Sequence, residues 1–478
     1  MLNSNLLLCA VFVPTIGAFA IPFIGRFSGI ARNAAAFILV FVPLAASALL
    51  APAVLSGRPV TLSYTLPLGC DFTLTADALA VFMAIVSSFI SFVIVLYSFG
   101  YIRKYSHLSE YYTMVVFFIG SMMGLVYSAN LIFIYLFWEM TAIASWRLIG
   151  FFREKTFVLK ADKAFLITVF GALLMLLGFI LIYTETGSFD LSIIKSRLGP
   201  GALSNTVVLL ILFGILSKSA TLPFHTWLPD AGVAPSPVTA LLHAAVLVKI
   251  GVYVYARLFV ATFSIGAIWH TVVPALAAIS ALVSAGAALV ETDIKRIIAY
   301  STVSQIAFIF LGLAVGGEIG LAGALLYILM HGLAKGGLFL CAGIVEHGTH
   351  TKDITKMGGL FGVMPMTAVS FLFCAFSVMG VPPFGGFFSK YMVISGALSN
   401  NTWIAMTFLV GAFLTILYLF RLFNMVFMGE EGTQSAREGS RIMVFSVAIL
   451  GALSLVAGIC IQYPASFVET AVKQMLGF

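Results

Sequence analysis

Fourteen apolar runs, each of about 22 residues, succeed one another along the 478-residue chain. They lie at about 3–24, 31–53, 76–101, 110–127, 130–150, 161–184, 206–230, 235–258, 270–290, 297–314, 320–345, 366–391, 403–428 and 443–463. A run of that length matches the hydrocarbon thickness of a bilayer. Lipid offers backbone groups no partners, so each run reads as a helix that satisfies its own. The runs are continuously apolar rather than alternating, which excludes a transmembrane barrel. Only 9% of the residues are charged and 61% are apolar, against about 25% charged in soluble proteins. A soluble enzyme, a nucleic-acid binder and a disordered scaffold are therefore excluded. The expected fold is an all-α polytopic membrane protein, with the first run, which begins at Leu2 without a basic leader, retained as a helix.

Orientation follows from the loop charges. The loops after helices 1, 3, 5, 9, 11 and 13 carry fourteen Lys and Arg: Arg26, Arg32, Arg103, Lys104, Arg153, Lys155, Lys160, Lys163, Lys295, Arg296, Lys352, Lys356, Arg437 and Arg441. The opposite side carries five: Arg58, Lys195, Arg197, Arg257 and Lys473. The richer side is expected to be cytoplasmic, with both termini outside. Cys9, Cys70, Cys341, Cys374 and Cys460 are scattered. They match neither an iron–sulfur cluster nor a structural zinc, and most are expected to be buried small apolar residues.

Six basic residues fall inside helices: Arg147, Lys218, Lys249, Lys335, Lys390 and Arg421. A charge at the centre of a spanning helix costs about 2.5–3.5 kcal/mol on the insertion scale. Such a residue faces a bundle interior or a water-filled path. Arg147 and Arg421 lie nearer helix ends, where they can snorkel. The four lysines are harder to dismiss.

Two helices also look broken. Lys218 precedes Pro223, Pro229, Pro235 and Pro237, and Pro382-Pro383 with Gly385-Gly386 precede Lys390. Proline inside a membrane helix frees backbone groups that protein or water must satisfy. Interruptions five helices apart point to two five-helix repeats, helices 4–8 and 9–13, the second inverted by the odd count. The expected division is 1–105 for helices 1–3, 106–260 and 261–430 for the repeats, and 431–478 for helix 14 and the C-terminus.

Glu139 is the one acidic residue placed well inside a helix. There it needs a proton or a cationic partner, and Lys218 is the natural candidate. Arg147, eight positions on, lies roughly 12 Å along the helix and about 80° around it. Lysine suits a proton relay because dry surroundings weaken its hold on the proton and a nearby carboxylate restores that hold. Moving Glu139 toward or away from Lys218 would load or unload that proton; the plainer alternative is a structural ion pair fixing helix 5 on helix 7. His243 precedes Lys249 by a turn and a half, and His331 and Lys335 share a face at i, i+4. Histidine passes protons near neutral pH, whereas metal binding lacks a carboxylate or cysteine at ligand spacing. His347 and His350 read as part of a solvated loop, and Asp230 has no role assigned.

Several segments resemble one family. Lys218-Ser219-Ala220 with Leu222-Pro223-Phe224-His225-Thr226-Trp227-Leu228-Pro229-Asp230-Ala231 resembles the helix-7 motif of the antiporter-like subunits of respiratory complex I. Ala234-Pro235-Ser236-Pro237-Val238 through His243-Ala244 to Lys249-Ile250-Gly251-Val252-Tyr253 resembles their helix 8. Asp293-Ile294-Lys295-Arg296 with Ala299-Tyr300-Ser301-Thr302, and Gly380-Val381-Pro382-Pro383-Phe384 to Phe387-Phe388-Ser389-Lys390, are similar to the helix 9–10 link and the broken helix 12. The likeness spans about residues 75–430. The family also includes Mrp-type sodium/proton antiporters and membrane-bound energy-converting hydrogenases, which Phe137-Trp138-Glu139-Met140 and Thr168-Val169-Phe170-Gly171 resemble slightly more.

The resemblance implies that Glu139 and Lys218 are a coupled pair. Lys249, His243, His331 and Lys335 would form a hydrophilic axis, and Lys390 an exit. It also implies a prokaryotic inner membrane, no cofactor in this chain, and other membrane subunits and a peripheral redox module as partners. The largest members carry a long lateral helix or extra C-terminal domains; the short tail after helix 14 argues against a place at the far end of a complex built on that helix. The expected function is proton translocation, with or without sodium antiport, in a redox-driven complex. An energy-converting hydrogenase is favoured over an Mrp antiporter, and complex I is third. A self-sufficient transporter, a structural scaffold and a partner in bicarbonate uptake are the other readings. Transport work of about 2.3 kcal/mol per charge at 100 mV must come from a downhill process.

Overall fold

Why these runs become spans is visible at their ends, where side chains satisfy the orphan amides of the first turn. The computed structural model describes residues 2–66, 71–199, 201–429 and 436–477, so Cys70 lies outside the described residues. Helices α1 (Leu2–Gly17), α2 (Ile21–Phe27) and α3 (Gly29–Leu55) lead to an antiparallel hairpin, β1 (Val60–Thr65) with β2 (Asp71–Ala76), paired from Val60↔Ala76 to Thr65↔Asp71. Then come α4 (Ala78–Tyr101), α5 (Leu108–Tyr127), α6 (Leu131–Ile149), α7 (Lys155–Thr186) and the short α8 (Leu191–Leu198). A two-residue strand, β3 (Ala202–Leu203), precedes α9 (Asn205–Lys218), α10 (Trp227–Asp230), α11 (Ser236–Ala240) and α12 (Leu247–Tyr255), and pairs with β4 (Ser264–Ile265). The remainder is α13 (Trp269–Val290), α14 (Ile294–Val315), α15 (Glu318–Thr349), α16 (Leu360–Val363), α17 (Pro365–Met379), α18 (Gly385–Leu398), α19 (Thr402–Phe427), α20 (Arg441–Ile459) and α21 (Gln462–Leu476).

Twelve helical segments among the described residues are long and apolar enough to span a membrane. They match the expected runs except helices 7 and 12, which are split as the prolines require: α9 ends at Lys218 and α17 at Met379. The freed groups find partners. Trp227 Nε1 donates to the Ser217 carbonyl at 2.9 Å, the Leu222 amide donates to Ser280 Oγ at 3.1 Å, and the Gly380 amide donates to the Phe376 carbonyl at 3.0 Å. Lys218 ends the segment before one break and Lys390 follows the other, as inversion requires.

The two repeats share a construction in detail. Helices α7 and α15 are each 32 residues long and each is followed by a left-handed residue, Gly187 (φ 64°) or His350 (φ 54°). An aspartate then caps the next short element: Asp190 accepts from the Ser192 amide and Asp353 from the Thr355 amide. Each aspartate also forms a β-bridge with the residue that caps the second helix of its own repeat, Asn130↔Asp190 and Asp293↔Asp353. The first bridge lies at the hairpin end, where Asn130 Nδ2 donates to the Asp71 carbonyl at 3.0 Å. The chain places the second at the opposite end, beside the Lys295–Glu346 ion pair. Helices α14 and α15 are buried over almost their whole length, whereas α3, α7 and α19 turn apolar faces outward.

Three features depart from expectation. The hairpin is not legible as an apolar run. The eighth expected helix contains two π-helical segments, Leu241–Ala245 and Ala256–Thr262, on either side of α12. Helix α21 follows α20 and lies against α4 and α15, with Phe467 on Phe82 at 5.8 Å between centroids. Gln474 ties it down, accepting from the Ala78 amide at 3.0 Å and donating to the Val54 carbonyl at 2.8 Å. Of the four cysteines described, Cys341 and Cys374 are buried, Cys9 is exposed and Cys460 half-buried.

Candidate functional site: a buried row of amines and imidazoles

The row starts on α6. A helix buried on one side must turn its other side outward, and Leu136, Ile143 and Trp146 are exposed on α6. Glu139 lies between these faces, half-buried, and its Oε1 is buried without a hydrogen-bond partner among the described residues. The expected contact with Lys218 is not made: no ion pair within 4.0 Å joins them. Lys218 instead donates to the Trp138 carbonyl at 3.1 Å, one residue before the glutamate, and its ammonium lies 5.3 Å from the Trp138 ring centroid. Lys218 is the last residue of α9, and its ammonium shares the Trp138 carbonyl, in the middle of α6, with the Thr141 hydroxyl, which donates to it at 2.6 Å. The acid–base couple is therefore held open.

The middle of the row lies on the π-helical segment Leu241–Ala245, α12 and α15. His243 sits inside the π-helical segment and is fully buried. Its ring packs on Phe339 at 4.3 Å between centroids, and neither ring nitrogen has a partner among the described residues. Segments of this kind interrupt helices at functional positions. Lys249 donates to the Ile328 carbonyl at 3.2 Å and to His331 Nδ1 at 2.8 Å. With the ammonium as donor, Nδ1 accepts and the imidazole carries its hydrogen on Nε2, which is buried without a partner among the described residues. One turn along α15, Lys335 donates to Ser301 Oγ at 2.5 Å and to the Ile298 carbonyl at 3.3 Å.

Lys390 closes the row on α18. It donates to the Val378 carbonyl at 2.6 Å, one of the acceptors released where α17 stops. Its ammonium also lies 4.6 Å from the Phe308 centroid and 5.7 Å from that of Tyr327. Both break-associated lysines are thus held by a carbonyl and an aromatic face, with no carboxylate among the described residues in contact.

Around these cations lies a set of neutral polar side chains that the sequence did not single out. Ser301 Oγ and Tyr418 Oη are 2.7 Å apart, Gln305 Nε2 donates to Thr415 Oγ1 at 3.1 Å, and Tyr327 Oη donates to Gln305 Oε1 at 2.6 Å. All five are fully buried. Ser301 stands in a recognised motif and Gln305 follows it at i+4, the one signal that could have led to them.

Other expectations resolve away from the row. Arg147 pairs with Glu110, which also holds Arg153 at 2.7 Å, so Arg147 has a fixed partner rather than a snorkelling tip. Arg421 donates to the Leu289 and Glu291 carbonyls at 2.9 and 3.0 Å and so caps α13. Asp230 accepts from Lys163 at 2.7 Å and Arg296 at 2.8 Å, tying α10 to α7 and α14. Burial raises the Asp230 pKa, but these two cations outweigh it and hold the carboxyl below the usual range. His347 is not in a solvated loop: it ends α15, stacks on Tyr101 at 4.3 Å and lies 3.3 Å from Tyr105 Oη. His350 is exposed. No group of three metal-ligating side chains occurs among the described residues.

Comparison with known proteins gives the family. One Na(+)/H(+) antiporter subunit of Alkalihalophilus pseudofirmus is 36% identical over 439 residues, covering 83% of this chain and 54% of that protein. Its counterpart in the Na(+)/H(+) antiporter of Staphylococcus aureus is 34% identical over 492 residues, covering 95% of this chain and 61% of that protein. The chain therefore spans little more than half the length of these relatives. A chain of the Mrp complex from Dietzia sp. DQ12-45-1b superposes with a TM-score of 0.87 at 22% identity, over 100% of this chain and 98% of that one. A chain of the membrane-bound sulfane sulfur reductase, an archaeal respiratory membrane complex, gives 0.90 at 23% identity, over 98% and 97%. At such identities the likeness establishes the fold. Residues 65–112 match the family described as NADH-ubiquinone oxidoreductase (complex I), chain 5 N-terminus. Residues 128–415 match the one described as NADH:quinone oxidoreductase/Mrp antiporter, TM, and as this match covers more than half of the sequence, the chain belongs to that antiporter-like membrane family.

Proposed function

We propose that this chain is the proton-translocating subunit of a multisubunit sodium/proton antiporter of the Mrp type. Protons would pass along Glu139, Lys218, His243, Lys249, His331, Lys335 and Lys390. One observation carries the reading: six titratable cationic groups, each almost wholly buried, lie in sequence across two broken-helix repeats with no carboxylate contacting them among the described residues. Permanently charged groups held so would be very costly, whereas groups that gain and lose protons in turn are not. The hydrogenase-type host favoured from the sequence gives way here, because the two curated relatives described above, at 36% and 34% identity, are sodium/proton antiporter subunits.

The repeats, residues 106–260 and 261–430, would supply one half-channel each. The basic end of the bundle would face the cytoplasm of a prokaryotic cell, with both chain ends outside. Other membrane subunits would be partners, since both solved likenesses belong to membrane complexes.

The test is reconstitution of the complex that co-purifies with this chain, followed by an imposed sodium gradient. Internal acid or alkali should develop without an electron donor. Proton movement that requires a redox substrate and ignores sodium would return the assignment to a redox-driven host. Equal flux from the isolated chain would make it a self-sufficient transporter.

A further inference from the structure

We propose that the hydroxyls of Ser301 and Tyr418, positioned by Gln305, carry protons between Lys335 and Lys390. The inference rests on the proton-translocating reading above and names residues that it does not contain. Three helices build the line. Helix α14 presents Ser301 and Gln305 four residues apart on one face, α19 presents Thr415 and Tyr418, and α15 presents Tyr327 and Lys335.

The hydrogen-bond geometry gives the line a direction. Lys335 has only hydrogens to give, so at 2.5 Å Ser301 Oγ accepts. The serine's own hydrogen is then free to point at Tyr418 Oη, 2.7 Å away. Thr415 gives its hydrogen to the Gly411 carbonyl at 2.8 Å, so it accepts from Gln305 Nε2 at 3.1 Å, and the amide oxygen takes the Tyr327 hydrogen at 2.6 Å. The same nitrogen also donates to Tyr418 Oη at 3.4 Å, so when the serine donates to it as well the tyrosine accepts from both and its own hydrogen is free to leave. Gln305, which holds Tyr418, also holds Tyr327, and the Tyr327 and Phe308 rings flank the Lys390 ammonium.

The step balances. An ammonium hydrogen of Lys335 moves to Ser301 Oγ as the serine's hydrogen moves to Tyr418 Oη and the tyrosine's hydrogen leaves through water to the Lys390 amine. Lys335 ends as an amine and Lys390 as an ammonium. Both hydroxyls end neutral, and rotation resets them. Gln305 and Thr415 transfer nothing and are positioning residues. A purely structural role, in which the hydroxyls only satisfy Lys335, predicts no loss of transport when the amine keeps its backbone partner.

The experiment compares proton flux through the reconstituted complex carrying Ser301→Ala, Ser301→Thr, Tyr418→Phe or Lys335→Met, with assembly and thermal midpoint measured for each. Ser301→Ala and Tyr418→Phe should each lower flux by at least about tenfold, while Ser301→Thr, which keeps a hydroxyl, retains most of it. Flux at the parental rate in Ser301→Ala and Tyr418→Phe, with Lys335→Met inactive, would overturn the relay and leave the functional reading standing. Flux surviving Lys335→Met would overturn both. An equal loss in Ser301→Ala and Ser301→Thr would mean packing rather than proton transfer, and should Tyr418→Phe fail to assemble, the serine pair decides alone.

Discussion

Replacing Lys218 with methionine stops coupled proton movement and leaves the bundle at least as stable as before. The two halves of that expectation have separate causes. The ammonium is buried, and its one hydrogen-bond acceptor among the described residues is the Trp138 carbonyl at 3.1 Å. Methionine fills a similar volume without a charge to desolvate, and Lys218 has no carboxylate in contact, among the described residues, that its loss would strand. Transport has no such compensation. Lys218 is the cation at the first break, and without it a proton arriving near Glu139 has no base to occupy. Flux should fall by at least about tenfold, read as the initial rate of pH change in vesicles holding the assembled complex. Glu139→Gln should also slow transport, because Lys218 loses the carboxylate that steadies its charged form when the couple closes. A stable Lys218→Met variant with undiminished flux would leave the pair as packing.

The second large effect falls on the other break and is one of stability. Adding a single methyl at Gly386 should prevent correct assembly. A β-carbon there would lie 1.8 Å from the Ser377 carbonyl oxygen and 2.7 Å from its carbonyl carbon, both backbone atoms that cannot swing aside. Helix propensity argues the opposite way, since alanine is favoured over glycine by about 1 kcal/mol inside a helix. The steric conflict wins, because overpacking costs typically 1–3 kcal/mol even against movable side chains, and here the obstacle is main chain. Gly458 on α20 meets the same break from outside, its β-carbon position 2.0 Å from the Pro383 carbonyl oxygen. The expected readout for Gly386→Ala is a loss of folded protein on extraction and a lowered thermal midpoint in what remains. A variant with parental yield and midpoint would mean that the break is looser than its geometry implies.

What the sequence reveals and conceals about this molecule follows from the kind of signal each feature leaves. The spans are legible because lipid demands unbroken apolar length, and the breaks because Pro223 and Pro382-Pro383 cannot continue a helix. The charged members of the row stand out because a lysine in an apolar run is costly enough to need a reason. Ser301, Gln305, Thr415 and Tyr418 carry no such mark. Neutral hydroxyls and amides are ordinary inside membrane helices, and only the packing of α14, α15 and α19 aligns these four.

The π-helical segments beside Lys249 likewise have no proline to announce them. Charge alone also names the wrong contact at Lys218: the ammonium goes to the Trp138 carbonyl, one residue before Glu139 on α6, rather than to the carboxylate. Asp230 looks idle in one dimension because its partners, Lys163 and Arg296, are 67 and 66 residues away. Helix α21 escapes a search for spans because it is amphipathic and lies along the bundle end.

The central claim is that the buried row is joined through water in the middle of the membrane. Each water in such a row needs two to four polar partners, and the two His243 nitrogens and His331 Nε2, without partners among the described residues, are where the protein offers them. The most direct measurement is an experimental density map of the assembled complex, at a resolution that shows ordered solvent. It should place water against both His243 nitrogens and His331 Nε2, with further molecules leading from Lys218 toward Lys249 and from Tyr418 toward Lys390. Density showing those nitrogens sealed against aliphatic side chains, with no solvent between the lysines, would contradict the account.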